Sequence, residues 1–422
     1  MAASLTTISG ILKDFYVGPV RDQINQEANV RTLMKSTTVS WNGQACIVPL
    51  HTSRNSGVGA IAEGLTLPTA GSQGFKKLTI EAKFVYGRAE ITGPAMASAK
   101  SSKGSFENWM AAEMDRLAQD VANVENQYAV HGGSVLGFVW QKQNGTDFEY
   151  AGRVATTELP LILGAATTTA QLVRLDTYVA VGAATQVDSV TSSLIVFNAA
   201  INTGAVPAGV VMAVVMDAAS TIIPSPATGL GVAGQFAREP NGITSNLAAI
   251  TLFGQSKAAT AELRSNFLLI DPVNDVYAAL DLKRIQASFD LLSEKGAEPD
   301  LILTHPAMRS EYTDLLVGTN AANLMVESGN KGKSGDAGFA GGLGYNGKPI
   351  MISRHAHKGT FYLLAKKHWA CYELDAGSWM DDDGSVLKRV TNTDAYEATW
   401  RHYYETACDR YNVQCVLTGI QF

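Results

Sequence analysis

Two patterns of apolar and polar positions dominate this chain, and they lie side by side. From Lys77 to Tyr86 the apolar residues fall on every second position: Leu78, Ile80, Ala82, Phe84 and Tyr86. Lys77, Thr79, Glu81 and Lys83 sit between them, the alternation of a strand with one covered face. The pattern predicts one strand from Lys77 to Thr92, which at ~3.3 Å per residue would run about 50 Å, far beyond an ordinary strand. Farther on, Phe106, Trp109, Met110, Met114, Leu117, Val121, Val124 and Tyr128 recur at threes and fours. That spacing predicts a helix from Phe106 to His131, about 39 Å long at ~1.5 Å per residue. Ser105 is its expected N-cap, Glu107 suits the first turn, and Gly132-Gly133 stops it. Before the long strand, Gln44–Leu50 reads as its partner strand and His51–Gly74 as a Gly- and Ser-rich loop turning around Pro68.

The same reading extends outward. Residues 1–40 resemble an arm of two short helices, with Ile8, Ile11, Leu12 and Phe15 on one face and Val20, Ile24, Val30 and Leu33 on the next. Gly18-Pro19 separates them, and neither helix buries enough to stand alone. Residues 134–238 change character: Thr, Ala, Val and Gly dominate, and runs such as Val173–Val181 and Ser193–Phe197 predict a small β-rich insertion. Helix is expected again over Val276–Lys295, then a buried strand at Asp300–Thr304 and a helix at Pro306–Leu316. A Gly-rich loop spans Gly318–Gly347, and strands are expected at Pro349–Ser353, Thr360–Leu364, Ala395–Trp400 and Asn412–Leu417. The order predicts an α+β fold carrying an all-β insertion.

Composition adds exclusions. Among 422 residues 46% are apolar and only 17% charged, against a usual ~25% charged, which suits a surface covered by partners. The net charge is −6 without a Lys/Arg cluster, so a nucleic-acid-binding footprint is lacking. Cys46, Cys371, Cys408 and Cys415 form no C-x-x-C pair and read as buried thiols. The N-terminus lacks the basic region and apolar core of a signal peptide. The uncharged run from Ser189 to Met216 is broken by Asn198, Asn202, Gly204, Pro207 and Gly209, so no membrane span is expected.

Candidate chemistry is thin. Gly342-Leu-Gly344-Tyr-Asn-Gly347 matches a dinucleotide motif, but a loop precedes it and a strand follows, the reverse of what phosphate binding needs. Gly332-Lys333-Ser334 ends like a phosphate loop, yet Glu327 stands where its first glycine belongs. His355-Ala-His357 offers two imidazoles without a third ligand, and Asp381-Asp382-Asp383-Gly384 lacks the ligand spacing of a calcium loop. There is neither a G-x-S-x-G elbow nor an H-E-x-x-H helix. No catalytic, cofactor-binding or metal-binding residue is assigned, and a non-enzyme is expected.

The order of the pieces resembles the major capsid proteins of tailed bacteriophages, the Hong Kong 97-type shell fold. The arm (1–40), an extended loop with its long strands (41–92) and a spine helix within a peripheral segment (93–133) come in family order. His131-Gly-Gly and Glu239-Pro-Asn-Gly-Ile243 resemble two halves of the segment leading out of the spine, with the β-rich insertion (134–238) between them. Glu298–Pro306 is similar to the strand-to-helix step of an axial domain, and Tyr345–Ser353 to the strand after its loop. The axial domain with flanking peripheral segments would span 239–390, and C-terminal peripheral strands 391–422. The resemblance implies a structural subunit that assembles with itself into hexamers and pentamers of an icosahedral virion shell. The shell would enclose double-stranded DNA without reading its sequence and would draw on scaffold, portal or decoration proteins. Synthesis would be in the bacterial host cytoplasm, with no membrane and no cofactor. It also raises Lys76, Lys77 and Lys83 as crosslinking candidates, because some members join a loop lysine to a neighbour's asparagine. A nanocompartment shell of the same fold and an α+β enzyme with an accessory β domain are the rival readings.

Overall fold

The computed structural model describes residues 29–35, 37–99, 109–142, 146–154, 169–203, 206–216, 221–222, 232–233, 238–274, 276–318, 343–381 and 384–422. The arm before Asn29, the Ser105 cap, Gly332-Lys333-Ser334, Asp382-Asp383 and most of the 318–347 loop lie outside the described residues.

In chain order, α1 (Asn29–Met34) and β1 (Thr38–Ser40) come first. β2 (Cys46–Ser53) and β3 (Gly74–Ile80) pair antiparallel as a two-stranded ribbon, with Val48 opposite Leu78 and His51 opposite Phe75. β4 (Lys83–Thr92), α2 (Gly93–Ala99) and α3 (Trp109–His131) follow. Then come β5 (Val135–Lys142), β6 (Asp147–Gly152), β7 (Thr169–Arg174), β8 (Val179–Val190), β9 (Leu194–Phe197) and β10 (Met212–Met216). These six close into a barrel in the order β10-β5-β6-β9-β8-β7. A short pair, β11 (Thr221–Ile222) with β12 (Val232–Ala233), precedes α4 (Ile243–Ala248) and the hairpin β13 (Thr251–Leu252) with β14 (Gln255–Ser256).

The rest of the chain builds two sheets. β15 (Asn266–Leu269), α5 (Leu282–Glu294), β16 (Leu301–Thr304), α6 (Pro306–Gly318), β17 (Gly344–Tyr345), β18 (Lys348–Ile352) and β19 (Thr360–Leu364) are followed by β20 (Trp369–Trp379), β21 (Lys388–Arg389), β22 (Ala395–Cys408) and β23 (Cys415–Thr418). One mixed sheet has the order β15-β23-β19-β16-β18-β17. Ile285, Phe289 and Leu292 of α5 and Met308, Tyr312 and Leu316 of α6 share a core with its Ile302, Phe361, Leu363 and Leu417. The other sheet has the order β1-β20-β22-β21, with β4 also paired to β22. Among the described residues, those within 86–121 and 378–401 form one unit, and those within 29–85, 122–377 and 402–422 form another. In the first, Arg88 pairs with Glu397, Gly93 N–H donates to Asp394 C=O at 2.7 Å, and Trp379 meets Trp400 edge-on at 5.5 Å.

The architecture is α+β with a β insertion, as the pattern predicts, but four elements differ. The strand expected from Lys77 to Thr92 is two strands with different partners, broken at Glu81-Ala82. At the end of β3 the even positions Leu78 and Ile80 are buried; in β4 the odd positions Gly87, Ala89 and Ile91 are. A shift of one residue turns every side chain over, so Phe84 and Tyr86 are 59% and 56% exposed instead of facing a core. The helix expected from Val276 starts at Leu282, because Asp281 caps it by accepting from Lys283 N–H at 3.0 Å. Upstream, Tyr277 is drawn to the barrel: its N–H donates to Glu149 Oε2 at 3.0 Å and its hydroxyl to Tyr150 C=O at 2.6 Å. Val173–Val181 is a β7–β8 hairpin that turns at Tyr178, whose φ is 58°. β20 carries no alternation and was not expected at all; its pairing with β1 and its place beside β22 make it a strand.

The barrel encloses its own core of Leu136, Val139, Phe148, Leu172, Ile195, Phe197, Met212 and Val214, with Phe148 edge-on to Phe197 at 5.7 Å. The chain leaves α3 and returns after the barrel at one point. Gly242 N–H donates to Gly132 C=O at 2.9 Å. Gly133 has φ 92°, and a Cβ there would lie 2.5 Å from Asn241 Oδ1, so only glycine fits.

Candidate functional site

The ribbon β2–β3 is anchored at its base and bare toward its tip. Leu78 and Ile80 are buried, Cys46, Val48 and Leu50 pack against the same core, and Thr79 N–H donates to Phe253 C=O at 3.0 Å. Gln255 Nε2 adds a bond to Lys77 C=O at 3.0 Å. The opposite parity faces outward: Ile47 on β2 and Phe75 on β3, the latter 69% exposed and beside the His51 ring at 5.3 Å. Beyond the strands the loop is pinched. A Cβ on Gly57 would lie 2.9 Å from Gly71 N, and one on Gly71 would lie 2.9 Å from Gly57 N. Two glycines let the legs of the loop touch there, and Gly57 N–H donates to Asn55 Oδ1 at 2.7 Å. The tip beyond this neck carries Val58 (86% exposed), Ile61, Leu65 and Leu67 (76% exposed). A row of large apolar side chains on a two-stranded ribbon has no interior of its own to enter, and such a row marks an interaction surface.

Lys76 and Lys77 lie exposed on β3, opposite Leu50 and Pro49, whereas Lys83 is half-buried at the start of β4. The other motifs resolve into structure. Gly344–Gly347 is a hairpin turn between β17 and β18, with Asn346 and Gly347 at φ 49° and 73°. His357 is fully buried. Its Nε2 is 2.8 Å from His131 Nδ1 and its Nδ1 is 2.7 Å from the Tyr362 hydroxyl, which in turn meets Thr244 Oγ1 at 3.2 Å. Both of its ring nitrogens are thus taken. Burial and the neighbouring His305 hold its pKa down at about 3. Burial also pulls His131 well down, helped by His357 and Arg153. Among the described residues no group of three or more His, Cys, Asp or Glu is placed to hold a metal, and no helix is long and apolar enough to cross a membrane.

Three buried polar clusters stand out that sequence spacing does not reveal. Glu125 on α3 accepts from Arg31 and lies 2.6 Å from His402 Nδ1, while His402 Nε2 and Lys35 Nζ meet Glu373 Oε1 at 3.2 and 3.1 Å. Burial pushes the Glu125 carboxyl up, but His402, Arg31 and Lys35 outweigh it and hold it below its ordinary range. The cluster fastens α1 and the residue after it to α3, β20 and β22. Arg153, just past β6, pairs with Glu239 at 3.1 Å in full burial. Glu405 accepts from Asn241 N–H at 2.6 Å and Thr406 N–H at 2.9 Å, and burial raises its pKa to about 7.

No family model and no curated protein matches this sequence. Solved structures do. A chain of the cyanophage A-1(L) capsid asymmetric unit superposes with a TM-score of 0.60 at 11% identity, covering 99% of both chains. A chain from the capsid of a native GTA particle superposes with a TM-score of 0.52 at 10% identity over 100% of both. The likeness is one of fold, and it runs the whole length. The chain has the Hong Kong 97-type shell fold of phage capsid proteins that its motif order resembles.

Proposed function

We propose that this protein is a structural subunit, without catalytic activity, that assembles with itself into the icosahedral head of a tailed double-stranded DNA phage. The observation that supports it most is the end-to-end likeness to two capsid chains. The β2–β3 ribbon and its pinched tip take the part of the extended loop, α3 that of the spine helix, and the sheet with α5 and α6 that of the axial domain. In this reading Ile47, Val58, Leu65, Leu67 and Phe75 are covered by a neighbouring subunit, and each such side chain contributes up to about 1.5–3 kcal/mol when fully buried. The subunit resides in the virion after synthesis in the host cytoplasm. Scaffold, portal and decoration proteins are its expected partners beyond itself.

Electron microscopy of negatively stained protein, with light scattering, tests the reading. Closed shells, hexamers or pentamers are expected. A chain that stays monomeric at high concentration, even beside the products of neighbouring genes, would overturn it. Deleting residues 57–74 is expected to leave a folded subunit that no longer assembles; normal shells from that deletion would remove the loop from the mechanism.

A further inference from the structure

One lysine of the second unit lies wholly inside the molecule with no carboxylate to meet it. Lys257 directly follows β14 and is 1% exposed, and among the described residues no Asp or Glu pairs with it. Its Nζ donates instead to two main-chain carbonyls in the last turn of α4, Asn246 C=O and, at 2.8 Å, Leu247 C=O. Two aromatic rings flank it: Nζ lies 4.5 Å from the Tyr411 ring centre and 5.3 Å from that of Tyr178. Rings and carbonyls attract a cation, but they replace a full hydration shell poorly. A lysine buried whole without an ionic partner is rare, so the charged form is held here at a disadvantage.

Tyr178 brings the barrel to this lysine. It stands at the turn of the β7–β8 hairpin, and its φ of 58° is unfavourable for so bulky a residue. Two bonds keep it there. Its hydroxyl donates to Leu247 C=O at 2.7 Å, the same oxygen that Lys257 uses, and accepts from Ser265 N–H at 3.2 Å. Arg264 ties the two backbones together: Nε donates to Lys257 C=O at 2.8 Å and Nη1 to Asp176 C=O at 3.3 Å. The Asp176 carboxylate itself is taken by Arg174. The hairpin tip thus covers the lysine, and lifting it relieves the backbone at Tyr178.

We infer that Lys257 and the β7–β8 tip form a proton-controlled latch between the barrel and the rest of the second unit: lifting the tip lets water reach the lysine, and the opened state takes up one proton that the closed state excludes. Burial drives the lysine from its ordinary 10.5 down to about 7, with the Cys408 thiol opposing. A group whose closed-state value is lowered in this way favours the closed state most at high pH. The latch is therefore firm above pH 10.5, loosens as pH falls toward 7, and changes no further below it. The titratable or charged groups facing Lys257 are Tyr178 from the barrel, Tyr411 and Cys408 from the C-terminal segment, and Arg264 from the chain beyond its own hairpin; α4 brings none. Burial raises both phenols above their ordinary 10.0 and the thiol above 9.0, so all three stay neutral below pH 9. Glu405 changes charge at about 7, so the window from pH 7.5 to 9 belongs to the lysine. The latch lies within one chain and does not depend on the shell reading.

Hydrogen exchange of the full-length chain, followed by mass spectrometry at pH 7.5, 8.0, 8.5 and 9.0 and corrected for the chemical exchange rate, tests it. The readout is the protection of the amides of residues 172–178 and of Ser265. In the parent, protection is expected to rise about tenfold per pH unit, roughly 30-fold across the window, because one proton is coupled to opening. Lys257→Met should remove that slope. Tyr178→Phe should lower protection at every pH and keep the slope, since the ring still covers the lysine while the bond to Leu247 is lost. Amides of β6 and β9, in the body of the barrel, should show no such slope. A flat series in the parent, or a slope that persists in Lys257→Met, would overturn the latch. If Lys257→Met does not fold, the parent series decides alone: a slope confined to the tip carries the latch, and a flat or uniform one removes it.

Discussion

The ribbon β2–β3 and the barrel β5–β10 are both β structure, yet they treat their apolar residues in opposite ways. The barrel turns Phe148, Leu172, Ile195, Phe197 and Val214 inward and closes on itself, so no strand edge is left open. The ribbon has two strands only, buries one parity at its base and presents Ile47 and Phe75 to solvent. An isolated two-stranded hairpin is marginal in water. The difference teaches where each element finds its stability. The barrel is complete within the chain, whereas the ribbon and its tip gain most by meeting another surface.

Experiments can break that contrast, starting with the largest expected effect. Arg153, just past β6, and Glu239 staple the barrel to the segment that returns after it. Arg153→Met should cost about 3–5 kcal/mol of unfolding free energy, because a buried carboxylate is left alone. The pair of changes Arg153→Met with Glu239→Leu should recover most of the loss in denaturant titration. A single variant as stable as the parent would mean that the staple is not needed. Phe148→Ala should cost about 3–5 kcal/mol through the cavity left between Phe197 and its neighbours, read as a lowered melting temperature. No change would show that the barrel lacks a packed interior.

A pH series probes the return segment. Burial raises the Glu405 carboxyl from its ordinary 4.5 to about 7, so the folded chain holds this proton more tightly than the unfolded chain does. Its contribution is full below pH 4.5 and is lost as pH rises through about 7. The melting temperature of the parent relative to Glu405→Gln should therefore fall across that window, and a flat difference would refute the assignment. The smallest effect on the subunit belongs to the ribbon. Ile47→Ser and Phe75→Ser should each change unfolding free energy by less than about 0.5 kcal/mol, as for exposed positions generally, while particle formation drops sharply. Loss of subunit stability from either change would place these side chains in a core and erase the contrast with the barrel.

Much of the framework was legible. The α3 spacing, its Gly132-Gly133 stop, the strand Thr360–Leu364 and the Pro306 helix start all follow from local periodicity and backbone preference. The surface residues were harder to read. Phe84 and Tyr86 continue the alternation of Leu78 and Ile80 without interruption, and nothing in that alternation records the one-residue slip at Glu81-Ala82 that turns them outward. Phe75 did leave a signal, an aromatic on the parity opposite the buried Leu78. His355-Ala-His357 reads in the sequence as two imidazoles without a third ligand; the buried chain that takes up His357 was not legible, because His131 and Tyr362 come from α3 and β19.

By itself the amino-acid sequence determined the elements whose cause is local: the long helix, the glycine-rich loop between two strands, the β-rich nature of 134–238 and the order of the pieces. Tertiary structure decided which faces those elements show and which charges meet. Barrel closure depends on β10 finding both β5 and β7. The Glu125–His402 contact joins residues 277 positions apart. Neither leaves a periodic trace, because long-range pairing is set by the packing of the whole chain and not by the spacing of neighbours.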